Sequence, residues 1–321
     1  MKRNTWMVLL CVALAVACLW WGFSPIESTE TAAEPTTLAL ILDTDIGFSA
    51  LQMKQGVKQA AKERNLETII AAPDYAGTQV ISQSDLVIEA LDEGAKAILL
   101  VPSRNEDLTE AIGEAADRGV PVLSLRETLD SQQIACTISD DHQNAGHMAA
   151  RALLERIGVE RGVILVLGEE GGNTFALTLQ GARKALDTSD GVTVLYRIAT
   201  NGEETPSIPE LLAEYPEING ILCLTGEATE AAAKAMPRNK ETIVLVGMDC
   251  GQNRTTYLEN KQVDAMVLGM PFAMGYLGVQ FAVDRLGGKT LPRNYYTESR
   301  VIDSENMYWP ENQKLAFPMV Q

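Results

Sequence analysis

Hydrophobic positions in this chain fall into short apolar runs separated by longer stretches in which apolar residues recur every three to four positions. Leu38 to Leu42 is an uninterrupted apolar run, the form of a strand buried on both faces. Ser49 to Arg64 follows with Leu51, Val57, Ala60 and Ala61 on one helical face. Further strands are predicted at Thr68–Ala72, Ala97–Val101, Val120–Leu125 and Ile134–Ile138, with helices over Thr78–Glu93 and Glu106–Arg118 between them. A second series opens with a helix over Gln143–Ile157. Strands are then predicted at Val163–Leu167, Val192–Ile198, Gly220–Leu224, Ile243–Met248 and Ala265–Leu268. Alternation of this kind predicts an α/β fold with two doubly wound parallel sheets. In such sheets ligands bind at the carboxyl ends of the strands, among the loops and helix N-termini.

Before Thr37 the pattern changes. Lys2 and Arg3 precede an uncharged stretch from Trp6 to Phe23, and residues 24–36 form a tether rich in Ser, Thr, Glu, Ala and Pro. The stretch admits two outcomes. It is long enough for a single span, with Trp20 and Trp21 at the interface, yet Ala15 and Ala17 form a small-x-small cleavage pattern before Cys18, where a lipid would attach. Either way the rest of the chain is expected outside the cytoplasm.

Charge narrows the partners. With 26 Lys and Arg against 43 Asp and Glu, the net charge is -17, which repels phosphate backbones, so nucleic acid is not expected as a partner. Cys136, Cys223 and Cys250 show no metal or disulfide spacing. His142 and His147 are five apart, which splays them to different helix faces, so no metal site is expected. The Gly168-Glu-Glu-Gly-Gly-Asn173 turn lacks a following Lys-Ser/Thr and carries two glutamates, which argues against a phosphate cradle. No nucleophile elbow or triad is present, so neither an enzyme nor a cofactor is expected.

Several segments together resemble the ribose-type periplasmic binding proteins: Leu38-Ala-Leu-Ile-Leu-Asp43, Gly94-Ala-Lys-Ala-Ile-Leu-Leu-Val-Pro102, Gly119-Val-Pro-Val-Leu-Ser-Leu125, Asp140-Asp-His-Gln-Asn-Ala-Gly146 and Val246-Gly-Met-Asp249. Near the end, Val301 to Met307 resembles the return strand of that family. The resemblance implies a first lobe of residues 37–139 plus 270–294, a second of 140–269 plus 295–321, and three crossings forming a hinge. It implies a monomer that closes around a sugar or polyol and passes it to an ABC permease. A membrane-tethered module signalling to a sensor kinase is the alternative.

By that resemblance Asp249 stands where the family carries a sugar-binding aspartate. Arg126 and Glu127 reverse the family's Asp-Arg order. The aromatic pair of the first loop falls on Ser49 and Ala50, leaving the adjacent Phe48 to serve, and the arginine after the Gly-rich turn falls on Ala176 or Thr178. Thr225 stands in place of an asparagine. Asp45, Asn173 and Met270 complete the expected ligand contacts. With Glu169 and Glu227 nearby, Arg126 is expected to be the single cation among these carboxylates, which suits a neutral polyhydroxyl or a cation better than a phosphate.

Overall fold

The computed structural model describes residues 36–74, 80–103, 106–158, 162–170, 172–199, 207–236 and 243–317. The apolar run Trp6 to Phe23 with Cys18, the tether up to Pro35, and Thr78 lie outside the described residues.

The first half winds as β1 (Thr37–Ile41), α1 (Phe48–Glu63), β2 (Glu67–Ala71), α2 (Gln83–Asp92), β3 (Ala97–Leu100), α3 (Thr109–Asp117), β4 (Val122–Leu125) and β5 (Ile134–Asp140). The second continues through α4 (His142–Ile157), β6 (Gly162–Glu169), α5 (Gly172–Leu186), β7 (Val192–Ala199), α6 (Ile208–Glu214), β8 (Ile218–Cys223), α7 (Gly226–Ala235), β9 (Val244–Met248), α8 (Arg254–Glu259) and β10 (Ala265–Leu268). The chain ends through α9 (Pro271–Leu286), β11 (Asn294–Thr297), β12 (Arg300–Ile302) and α10 (Pro310–Ala316).

The strands form two six-stranded sheets, ordered β11-β5-β4-β3-β1-β2 and β12-β10-β9-β8-β6-β7. All pairs are parallel except β10 with β12. Uninterrupted apolar strands make sense here because each sheet is covered on both faces. Leu38 and Leu40 enter one core of the first lobe and Ala39 and Ile41 the other. In the second lobe Ile164 and Val166 face one core and Leu165 and Leu167 its opposite.

Glycines set the helix spacing. A Cβ at Gly146 would stand 1.9 Å from the Thr178 carbonyl oxygen and one at Gly181 1.8 Å from that of Gln143, so α4 and α5 pack backbone to backbone. The second helix starts at Gln83, later than its apolar pattern suggests, because Ser82 and Asp85 form a capping box and Ile81 is drawn into a bridge with Asp74. Gln83 is fully buried. Its amide donates to the Leu42 and Val101 carbonyls at 2.8 and 2.7 Å and accepts from the Ser103 N–H at 2.8 Å, tying together the carboxyl ends of β1 and β3.

Among the described residues the chain passes between the sheets three times: after β5, between β10 and α9, and between β11 and β12. Pairing of β11 with β5 runs from Asn294 to Thr297, so the first sheet reaches three residues beyond the expected boundary at Asn294.

Candidate functional site

At the carboxyl end of β1 the chain leaves the sheet through Asp43 and turns at Gly47, whose φ of 103° favours glycine, to start α1 at Phe48. Directly after β4 comes Arg126, which adopts a left-handed φ of 71° although it is not glycine. Its N–H is held by the Ile138 carbonyl at 2.8 Å, and its own carbonyl lies 3.2 Å from His142 Nε2. This strained backbone aims the guanidinium at Asp43, with Nη2 2.6 Å from Oδ2. The other Asp43 oxygen, Oδ1, is buried and has no partner among the described residues.

Glu127 is only 8% exposed. Thr174, on the first turn of α5 in the other lobe, donates its hydroxyl to Glu127 Oε2, a direct bond between the lobes.

The second lobe contributes Asp249, directly after β9. Its Oδ1 accepts from the Gly251 N–H at 2.9 Å and its Oδ2 faces Arg254 Nη1 at 3.0 Å. Burial pushes the Asp249 carboxyl above the usual range, while Arg254 and the Gly251 N–H pull it down. Arg254 is 2% exposed, donates Nε to the Gly251 carbonyl at 2.9 Å and Nη1 to that of Leu315 at 3.2 Å, and leaves Nη2 buried without a partner among the described residues. Its guanidinium lies 4.1 Å over the Phe48 ring, a second contact between the lobes.

The expected residues therefore divide. Arg126, Glu127, Phe48 and Asp249 meet at or beside contacts between the lobes. Asp45 does not: it is exposed and paired with Lys54 along α1. Asn173 is exposed beside Thr174. Thr225 is occupied as the N-cap of α7, accepting from the Ala228 N–H at 3.2 Å, and with Glu169, Glu227, Arg197 and Ile208 it lines a recess of about 420 Å³ in the second lobe. Met270 is the N-cap of α9 and packs half-buried against the second lobe's core. The expectation of a single cation is corrected, since Arg254 joins Arg126 and each is paired with a carboxylate.

Sequence reasoning missed Arg254, Asp43 as the partner of Arg126, and Thr174. Arg254 lies five residues after Asp249, across a short 3-10 turn of Gly251–Asn253, and nothing in the spacing signals that the turn folds it back. Thr174 has a visible cue in its place one residue after Asn173 at the Gly-rich turn.

Comparisons with known proteins agree with this architecture. A ribose import binding protein of Bacillus subtilis is 22% identical over 261 residues, 80% of this chain and 84% of its own. A xylitol-binding protein of Mycolicibacterium smegmatis is 21% identical over 241 residues, covering 73% of this chain and 68% of that one. A carbohydrate transporter solute-binding protein of Agrobacterium radiobacter, solved in complex with D-arabinose, shares the fold with a TM-score of 0.74 at 21% identity, over 88% of this chain and 99% of that one. Residues 41–290 match the periplasmic binding protein domain, and with two parallel-sheet lobes crossed three times the chain belongs to the periplasmic binding protein family.

Proposed function

We propose that this chain is an extracytoplasmic solute-binding protein whose lobes close on a small neutral polyhydroxyl molecule, a sugar or polyol, for delivery to an ABC importer. The observation that carries this reading is the pair of buried orphan atoms beside the lobe contacts, the acceptor Asp43 Oδ1 and the donor Arg254 Nη2. A hydroxyl both donates and accepts, so polyol hydroxyls suit both kinds of orphan atom, whereas a phosphate dianion can serve only the donor. Both guanidiniums are already matched by carboxylates, which leaves little positive potential for an anion. Asp249 spends one bond on each oxygen, and a carboxylate has about four acceptor positions, so it can still take ligand hydroxyls.

The relatives' names support the class: ribose and xylitol for two of them, D-arabinose for the solved neighbour. In this reading the apolar run Trp6 to Phe23 holds the lobes at the membrane's outer face, by a span or by a lipid on Cys18. Among the described residues no helix is long and apolar enough to cross a membrane. A thermal-shift screen with pentoses, hexoses, polyols, amino acids and polyamines tests the proposal, because a ligand bound only by the folded state raises its melting temperature. A shift with a neutral polyol supports it. A response confined to amino acids or polyamines, or no response at all, sinks it.

A further inference from the structure

Three chain segments link the lobes, and one carboxyl group touches all of them. Asp140 is the last residue of β5, on the first crossing. Its Oδ1 accepts the Thr297 hydroxyl at 2.6 Å, on the third crossing. The second crossing passes directly beside it at Gly269 and Met270. Beside Met270, a Cβ on Gly269 would stand 2.1 Å from Asp140 Oδ2, so the second crossing approaches the carboxyl too closely for any side chain there. Thr297 is 7% exposed, and its hydroxyl also reaches the Ser139 carbonyl at 3.4 Å. Helix capping does not explain Asp140, because the cap of α4 is Asp141, which accepts from the Asn144 N–H at 2.9 Å. The charged or titratable neighbours are His142, which starts α4, and Asp249, after β9.

We propose that Asp140 is the positioning residue of the hinge, its bond to Thr297 and its tight packing against the Gly269–Met270 backbone holding the three crossings in one register so that the lobes rotate as a unit between open and closed. Three separate linkers would each relax on their own. Linkers tied at one point change conformation together, and a hinge of few discrete states follows. The inference bears on the closure proposed above, but its test uses no ligand, so the two stand or fall separately.

The test is hydrogen exchange followed by mass spectrometry on the full chain, comparing wild type with Asp140→Ala, Gly269→Ala, Thr297→Val and Thr297→Ser. Asp140→Ala removes the carboxyl packed against the Gly269–Met270 backbone and should speed exchange at Met270 about tenfold, together with residues 297–300. Gly269 lacks the left-handed φ that would strain an alanine, so Gly269→Ala acts by displacing the carboxyl and should reproduce that pattern. Thr297→Val is the decisive and mildest variant. It leaves the carboxyl in place beside Gly269 and Met270, yet a shared register requires exchange at Met270 to rise as well, with the first turn of α5 following as the lobe contact at Thr174 loosens. Thr297→Ser, which keeps the hydroxyl, should restore wild-type exchange, and β1 and β6 should stay protected throughout. A Thr297→Val effect confined to the third crossing, or equal deprotection of hinge and both sheet cores, overturns the proposal.

Discussion

Replacing Arg254 by methionine removes a cation that is 2% exposed while keeping most of its apolar length. Two carbonyl acceptors, at Gly251 and Leu315, and the face of the Phe48 ring lose a partner. Against that, the variant no longer buries the orphan Nη2, so these losses are partly offset. What remains is the attraction to Asp249. At 3.0 Å and an effective dielectric of about 20 the Coulomb energy is roughly 5 kcal/mol, and a quarter of the Asp249 side chain is accessible, so about half of it, 2–3 kcal/mol, is expected to register at neutral pH. For a protein of this size that is a fall in melting temperature of about 3–5 °C. The pH dependence is the sharper test. Burial already holds the folded Asp249 above its unfolded value near 3.9, so its ionisation lowers stability as pH rises through the folded pKa. Without Arg254 that folded pKa moves higher still, and each unit costs about 1.4 kcal/mol. The deficit of Arg254→Met should therefore be small near pH 4 and grow toward pH 8. Adding Asp249→Asn should flatten it. Urea unfolding across that range measures it, and a deficit that does not change with pH would refute the reasoning.

Other consequences are as direct. Thr174→Val deletes the hydroxyl bonded to Glu127 across the cleft, and because the acceptor is charged it should weaken ligand-driven closure about tenfold, read by titration calorimetry with the best ligand of the screen, while the melting temperature of the ligand-free protein stays within about 2 °C. Gly146→Ala drives a methyl into the Thr178 carbonyl between α4 and α5 and should cost about 2–3 kcal/mol in urea unfolding, more than an alanine in an open helix position. Ser82→Ala removes the cap of α2 and should cost about 1 kcal/mol in the same assay. Cys250, whose thiol is pushed up to about 12 chiefly by burial with Asp249 adding to it, should react with iodoacetamide at pH 8 far more slowly than a free thiol, as followed by intact mass.

The sheets were readable because a strand buried on both faces leaves a plain mark: Leu38 to Leu42 and Val163 to Leu167 are apolar without interruption, and all but the half-buried Val163 lie in the interior. Helix starts were less readable where a cap and a bridge compete with apolar periodicity, as at Ser82. In the candidate site, residues at strand ends were legible: Arg126, Glu127 and Asp249 all fall where β4 and β9 finish. Pairings were not. Asp43 meets Arg126 across 83 positions and Thr174 meets Glu127 across 47, contacts set by lobe geometry and left-handed backbone rather than by local pattern. Asp45 misled because a carboxylate in a strand-to-helix loop can turn toward the helix, where Lys54 draws it.

The central claim is that the cleft prefers a neutral polyhydroxyl to its charged counterpart. Titration calorimetry of ribose, arabinose and xylitol beside their 5-phosphates measures that preference within matched pairs. The account predicts that at least one neutral member binds with saturable one-to-one heat and that its phosphate ester binds at least a hundredfold more weakly. A phosphate ester that binds more tightly than its neutral parent, or a full set that yields no binding heat, would contradict it.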